Sequence, residues 1–222
     1  MRFVHVTLEA PASLLPELAD FYGGRLGLER SGASFAIGET QLEFVASGGQ
    51  PFYHFALLVP GNRFDAALDW AGKRTELLPD PETGEVVFDF DNLNALALYF
   101  HDPAANIVEL IAHRGVEERE ARGEFRGDEL VGLSELGLVG DRAGMAEALR
   151  RELGLRLWQG TVAEPGSLAF VGDRARTLIL AAPGRGWLPL GRPAEPYAVE
   201  VRLSGGPAGE AELEGGRYRI SC

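Results

Sequence analysis

His5, Glu43, His54 and Glu109 are the residues of this chain best suited to chemistry, because each breaks a strand-like run of apolar neighbours with one polar side chain. Two imidazoles and two carboxylates drawn from separate strands make a donor set for one divalent cation per chain. Neutral imidazole and carboxylate together suit zinc, nickel, cobalt, manganese or iron(II). The competing reading of a lone strand histidine is a hydrogen-bonded structural residue. Glu43, in a Leu-Glu-Phe run, also fits a half-exposed strand position.

The elements that must position this quartet recur in a fixed order. Residues 3–9 alternate, with Phe3, His5, Thr7 and Glu9 on one face and Val4, Val6 and Leu8 on the other. That is the pattern of a strand between a core and a cavity. A helix follows, with Leu15, Leu18, Ala19 and Tyr22 at helical spacing and Ser13 placed as N-cap. Short strands are expected at 34–37 and 41–46. The pattern restarts with a strand at 53–59, a helix at 63–74, and strands at 85–89, 96–101 and 107–112. Residues 115–129 are charged and poor in apolar side chains. Beyond them lie a strand at 133–139, an Asp141-capped helix ending at Gly154, and strands at 167–171 and 177–181. A fourth unit opens at 197–203 and has no room for a helix. The expectation is an α+β fold of four tandem βαβββ modules, the last one truncated, forming open cup-like mixed sheets. Its expected division is a metal-binding domain at 1–114, a linker at 115–129 and a second domain at 130–222.

Composition narrows the partners. A formal charge of −12 and a pI near 4.8 argue against nucleic acid and anionic membrane, which call for a basic footprint. No apolar run approaches the roughly 20 residues of a membrane span. The single cysteine, Cys222, leaves no disulfide framework, and Met1 leads straight into a strand pattern, so a reducing cytoplasmic setting is expected.

Residues 5–28 and 53–59, and above all the run Tyr99-Phe100-His101-Asp102-Pro103-Ala104-Ala105-Asn106-Ile107-Val108-Glu109-Leu110, resemble the vicinal oxygen chelate (VOC) superfamily. Its members include glyoxalase I, methylmalonyl-CoA epimerase, fosfomycin and bleomycin resistance proteins and extradiol dioxygenases. The resemblance is good over residues 1–113 and weaker over 130–222. It implies cups built from paired units, with ligands on the first and last strand of each: here His5 and Glu43, then His54 and Glu109. It further implies glyoxalase- or epimerase-like isomerase or lyase chemistry on a small oxygenated metabolite, through a metal-bound enediolate. Glu43 would then serve as ligand or as a detachable base. Extradiol ring cleavage on iron(II) is the alternative, since that group carries a tyrosine ten positions before its glutamate, where Tyr99 stands. Glu39, however, holds the register of that group's second-sphere histidine. A non-catalytic drug-binding protein is the third reading, and its relatives generally lack the ligand set. A homodimer stays open, because one sequence does not tell whether a second copy completes a cup.

Alignment of the units sets Glu135 opposite His5, Ile179 opposite Glu43 and Ala198 opposite His54. Since apolar side chains do not coordinate, the second half is expected to be a degenerate partner, with one site per chain. Trp158, Trp187 and Phe170 are candidates for lining a pocket, with buried core the expected role of at least two of them, Arg185 to Pro189 for a loop packed on the cup, and His101 and His113 for surface or turn positions.

Overall fold

The computed structural model describes residues 1–120 and 122–222 and has the expected modular order. The first unit comprises β1 (Arg2–Pro11), α1 (Leu15–Ala19), β2 (Glu29–Ser31), β3 (Ser34–Ile37) and β4 (Thr40–Ser47). The second has β5 (His54–Leu58), α2 (Phe64–Gly72), β6 (Phe88–Phe90), β7 (Ala95–His101) and β8 (Ile107–His113). In the third, β9 (Gly132–Val139), α3 (Arg142–Leu153), β10 (Leu157–Gly160), β11 (Ala169–Asp173) and β12 (Arg176–Ala181) repeat the order. A small hairpin, β13 (Gly186–Trp187) and β14 (Arg192–Pro193), leads to a shortened fourth unit of β15 (Val199–Ser204), β16 (Glu210–Leu213) and β17 (Tyr218–Ser221).

Local chemistry accounts for the element ends. Asp141 caps α3 by accepting from Ala143 N, and Gly154 closes that helix in the left-handed conformation at φ 65°. Ser13 makes no cap; the helix is entered through a short turn, with Pro16 in its first positions. A bulge between Phe3 and His5 in β1 turns Phe3 into the core, against its expected face.

Sheet pairing departs from the expected grouping. One sheet has the order β16-β17-β15-β1-β4-β3-β2 and the other β10-β11-β12-β9-β5-β8-β7-β6. The first unit therefore pairs with the fourth and the second with the third, each through antiparallel first strands. Thr40 bridges the two sheets, its hydroxyl donating to Phe3 O and accepting from Leu133 N. One apolar core joins a face of each sheet around the helices, with Phe3, Leu8, Tyr22, Phe55, Phe100 and Leu136 all buried in it. A second apolar cluster, including Ala56, Tyr99, Ile179 and Trp187, lines the other face of the eight-stranded sheet.

Two connections hold this frame. Within the linker at 115–129, of which residue 121 lies outside the described residues, Phe125 is buried against the Trp70 ring of α2 at 5.5 Å. Glu129 meets the Arg63 guanidinium at 3.0 and 3.1 Å. The Asp102-to-Asn106 turn is the other. Asp102 accepts from Ala104 N (2.9 Å), Asn106 N (3.0 Å), Asn106 Nδ2 (2.7 Å) and the Tyr22 hydroxyl (2.8 Å). Burial still pushes its carboxyl up to about 6. Asn106 Oδ1 in turn accepts from Tyr53 N at 2.8 Å, so the turn fixes the starts of β5 and β8 together. Replacing Asp102 with Asn sets an amide against the Asn106 amide. The expected loss is about 2 kcal/mol, measured by urea unfolding.

Candidate metal centre

The eight-stranded sheet brings one histidine and two carboxylates to a point. His54 Nε2 and carboxylate oxygens of Glu109 and Glu135 all lie within 4.8 Å of one another, and all three residues are buried. Strand register explains the convergence. Ala56 on β5 pairs with Glu109 on β8 to one side and with Glu135 on β9 to the other. The small methyl at 56 leaves the two carboxylates room to lean together. His54 is two residues back on the same face of β5.

The expected quartet is thus divided. His54 and Glu109 meet, but their partner is Glu135 rather than His5 or Glu43. His5 and Glu43 lie in the seven-stranded sheet, where His5 Nε2 is 3.0 Å from Glu43 Oε2. Across Thr7 from Glu43 stands Glu200, already paired with Arg219 at 3.0 Å. These groups edge an open cavity of about 450 Å³. Among the described residues, His54, Glu109 and Glu135 form the one three-donor cluster. The division follows from the pairing: β1 lies between β4 and β15 rather than beside β5, so His5 has Glu43 on one flank and β15 side chains on the other. Unit alignment in the sequence gives Glu135 as the counterpart of His5, but the apolar counterparts Ile179 and Ala198 hide its approach to His54 and Glu109 across β5.

The environment of the three donors suits a cation. His54 Nδ1–H donates to Ile107 O at 3.3 Å, which leaves Nε2 as the lone-pair nitrogen, 3.5 Å from Glu109 Oε2. Burial lowers its pKa to about 4, so the ring is neutral at neutral pH. Burial, followed by the facing Glu135 charge, drives Glu109 well above the ordinary carboxylate range. Burial likewise raises Glu135 to about 8. Glu135 Oε1 is buried without a hydrogen-bond partner among the described residues. An unpartnered buried carboxylate oxygen is costly, and a divalent ion among these donors would remove that cost.

The surrounding walls are largely apolar. A cavity of about 420 Å³ opens over the donors, lined among others by Phe90, Tyr99, Leu168, Phe170, Arg185 and Trp187. Tyr99 sits opposite Glu109 across the β7–β8 pair. Burial and then the Glu109 charge raise its hydroxyl well above 10. Trp187 lies over His54 with ring centroids 4.8 Å apart. Gly137 permits this: a Cβ there would fall 2.9 Å from the indole. Of the remaining histidines, His101 is exposed as expected, but His113 is fully buried, with Nδ1 3.3 Å from Leu93 O. Among the described residues no helix is long and apolar enough to cross a membrane.

Comparison with solved structures shows the same fold. A protein from Bacillus subtilis subsp. subtilis str. 168 titled "putative dioxygenase" matches 100% of this chain and 84% of its own, at 15% identity and a TM-score of 0.58. Glyoxalase I from Zea mays matches 90% of this chain and 74% of its own, at 16% identity and a TM-score of 0.52. No family model matches the chain, and neither does any curated protein sequence. The fold is that of the vicinal oxygen chelate proteins, α+β modules curled into cups.

Proposed function

We propose that His54, Glu109 and Glu135 hold one divalent cation, and that the chain is a metal-dependent isomerase or lyase for a small oxygenated molecule bound in the 420 Å³ cup. The observation that carries this reading is the buried three-donor cluster with one carboxylate oxygen left unpartnered. A cation bound there would act as a Lewis acid toward substrate oxygens.

The chain's own residues supply the rest. Glu135, whose Oε1 has no hydrogen-bond partner among the described residues, would let go of the cation to take a proton from the substrate carbon and return it, the role expected of Glu43 from the sequence. The Tyr99 hydroxyl, held protonated, donates a hydrogen bond to a substrate oxygen and orients it. Trp187 and Phe170 give the cup apolar wall beside the donors. A reducing, cytoplasmic setting fits a chain whose single cysteine is Cys222.

Extradiol cleavage is the second reading, favoured by Tyr99 standing opposite Glu109 in register. Against it, the cluster offers one histidine where that chemistry uses two. Metal analysis of protein purified without added metal tests the site: about one equivalent per chain is expected, and none would sink it. Oxygen uptake with a catechol then separates the reactions, since consumption would favour the dioxygenase.

A further inference from the structure

The strap that closes the cup, residues 182–197, carries a charge that the site does not balance. Arg185 lines the same cavity as His54, Tyr99 and Glu109. Its Nη1 donates to Gly186 O at 2.8 Å and its Nε to Gly166 O at 3.4 Å, and both acceptors are neutral carbonyls. The shielded arginines elsewhere are better matched. Arg63 meets Glu129 and Arg176 meets Glu39 and Glu117, while Arg142, also bonded only to carbonyls, has both of its Nη atoms engaged by three of them. Among the described residues Arg185 pairs with no carboxylate, and it is half-buried.

Charge counting within the cup then points to a ligand. On the metal reading above, on which this inference rests, the two buried carboxylates neutralise a divalent cation, the Glu164 carboxylate on the cavity wall is solvent-exposed and screened, and the half-buried Arg185 leaves one positive charge inside the cup. An uncompensated charge in a partly desolvated cleft favours a counter-ion of opposite sign. The guanidinium fork, with Nη2 uncommitted, matches a planar carboxylate. A phosphomonoester, close to a dianion at neutral pH, would over-neutralise the site. The walls add an apolar demand, because Phe90, Leu93, Leu168, Phe170 and Leu188 line the same cavity. We infer that the substrate is a monocarboxylate with a flat apolar body, its carboxylate held by Arg185 and its remaining oxygens directed at the His54, Glu109 and Glu135 cluster.

Calorimetric titration with benzoate, benzamide and inorganic phosphate tests this on metal-loaded protein. Benzoate is expected to bind one per chain and at least about tenfold more tightly than benzamide, as one charge-assisted hydrogen-bond pair implies. Arg185→Gln should remove that advantage while metal content stays unchanged, and Arg185→Lys should restore part of it. Equal affinity for benzoate and benzamide, unchanged benzoate affinity in Arg185→Gln, or tighter binding of phosphate would each overturn the inference. Absence of metal in the wild type would sink the preceding reading and the charge count built on it, whereas bound metal without a benzoate preference would sink this inference alone.

Discussion

Replacing Glu135 with alanine should cost stoichiometric metal binding, with affinity falling on the order of a hundredfold or more, while Glu43→Ala leaves it unchanged. The contrast follows from where the strands run. Glu135 is one of three donor residues, so its loss leaves one imidazole and one carboxylate, too few to replace the water shell of a divalent ion. Glu43 lies in the other sheet beside His5, with its neighbouring carboxylate Glu200 occupied by Arg219. Glu135→Gln is the companion variant, because it keeps the side-chain volume and removes the charge. Chelator competition followed by metal analysis gives the readout for all three proteins. Loss of metal in Glu43→Ala with retention in Glu135→Ala would return the site to the first unit and refute the centre described above.

Most of this architecture was written in local pattern. The four-unit order, the Asp141 cap and the Asp102-to-Asn106 turn all depend on residues near one another in the chain. The choice of partner for β1 does not. Both β5 and β15 offer a first-strand edge with the same hydrogen-bonding capacity, and long-range packing decides between them. His54 and Glu109 stand out in the sequence as donor candidates because each is the one charged or imidazole group in a run apolar on both faces, His-Phe-Ala-Leu-Leu and Ile-Val-Glu-Leu-Ile. Glu135 has the same signature in Leu-Ser-Glu-Leu-Gly-Leu, on a strand buried throughout. His5 and Glu43 instead interrupt strands that alternate buried with half-exposed positions, the mark of a sheet face left open. Continuous burial, rather than residue type alone, separated the closed cup from the open one. Trp187 and Arg185 lack that burial signal, yet the sequence marks one as a pocket-lining candidate and the other as part of a loop on the cup, and both line the cavity.

The metal-free protein should lose stability as pH rises from 6.5 to 8, and a divalent cation should reverse that loss. Glu135 has a folded pKa of about 8 against an ordinary 4.5, so its protonated form is favoured in the fold. Its contribution is fully present below pH 4.5 and is lost as pH rises through 8. His54 and His113 act oppositely, because burial lowers both to about 4 from 6.5. Their contribution is present above pH 6.5 and is lost as pH falls toward 4. Asp102, at about 6, is mostly ionised by pH 6.5. The window above 6.5 therefore belongs chiefly to the buried Glu109–Glu135 pair. One proton released over 1.5 pH units corresponds to about 2 kcal/mol, or roughly 4–8 °C in Tm for a chain of this size. A cation binds the ionised pair, so its affinity grows over the same range. At about a thousandfold excess over Kd it should add about 4 kcal/mol, more at pH 8 than at pH 6.5. Glu135→Gln should flatten the metal-free pH profile and abolish the gain from metal. Thermal unfolding at four pH values, with and without zinc or manganese, reads both effects. A metal-free Tm that stays level or climbs between pH 6.5 and 8 would mean that the two carboxylates do not hold a proton between them. Their burial would then have to be balanced by some group other than a metal ion.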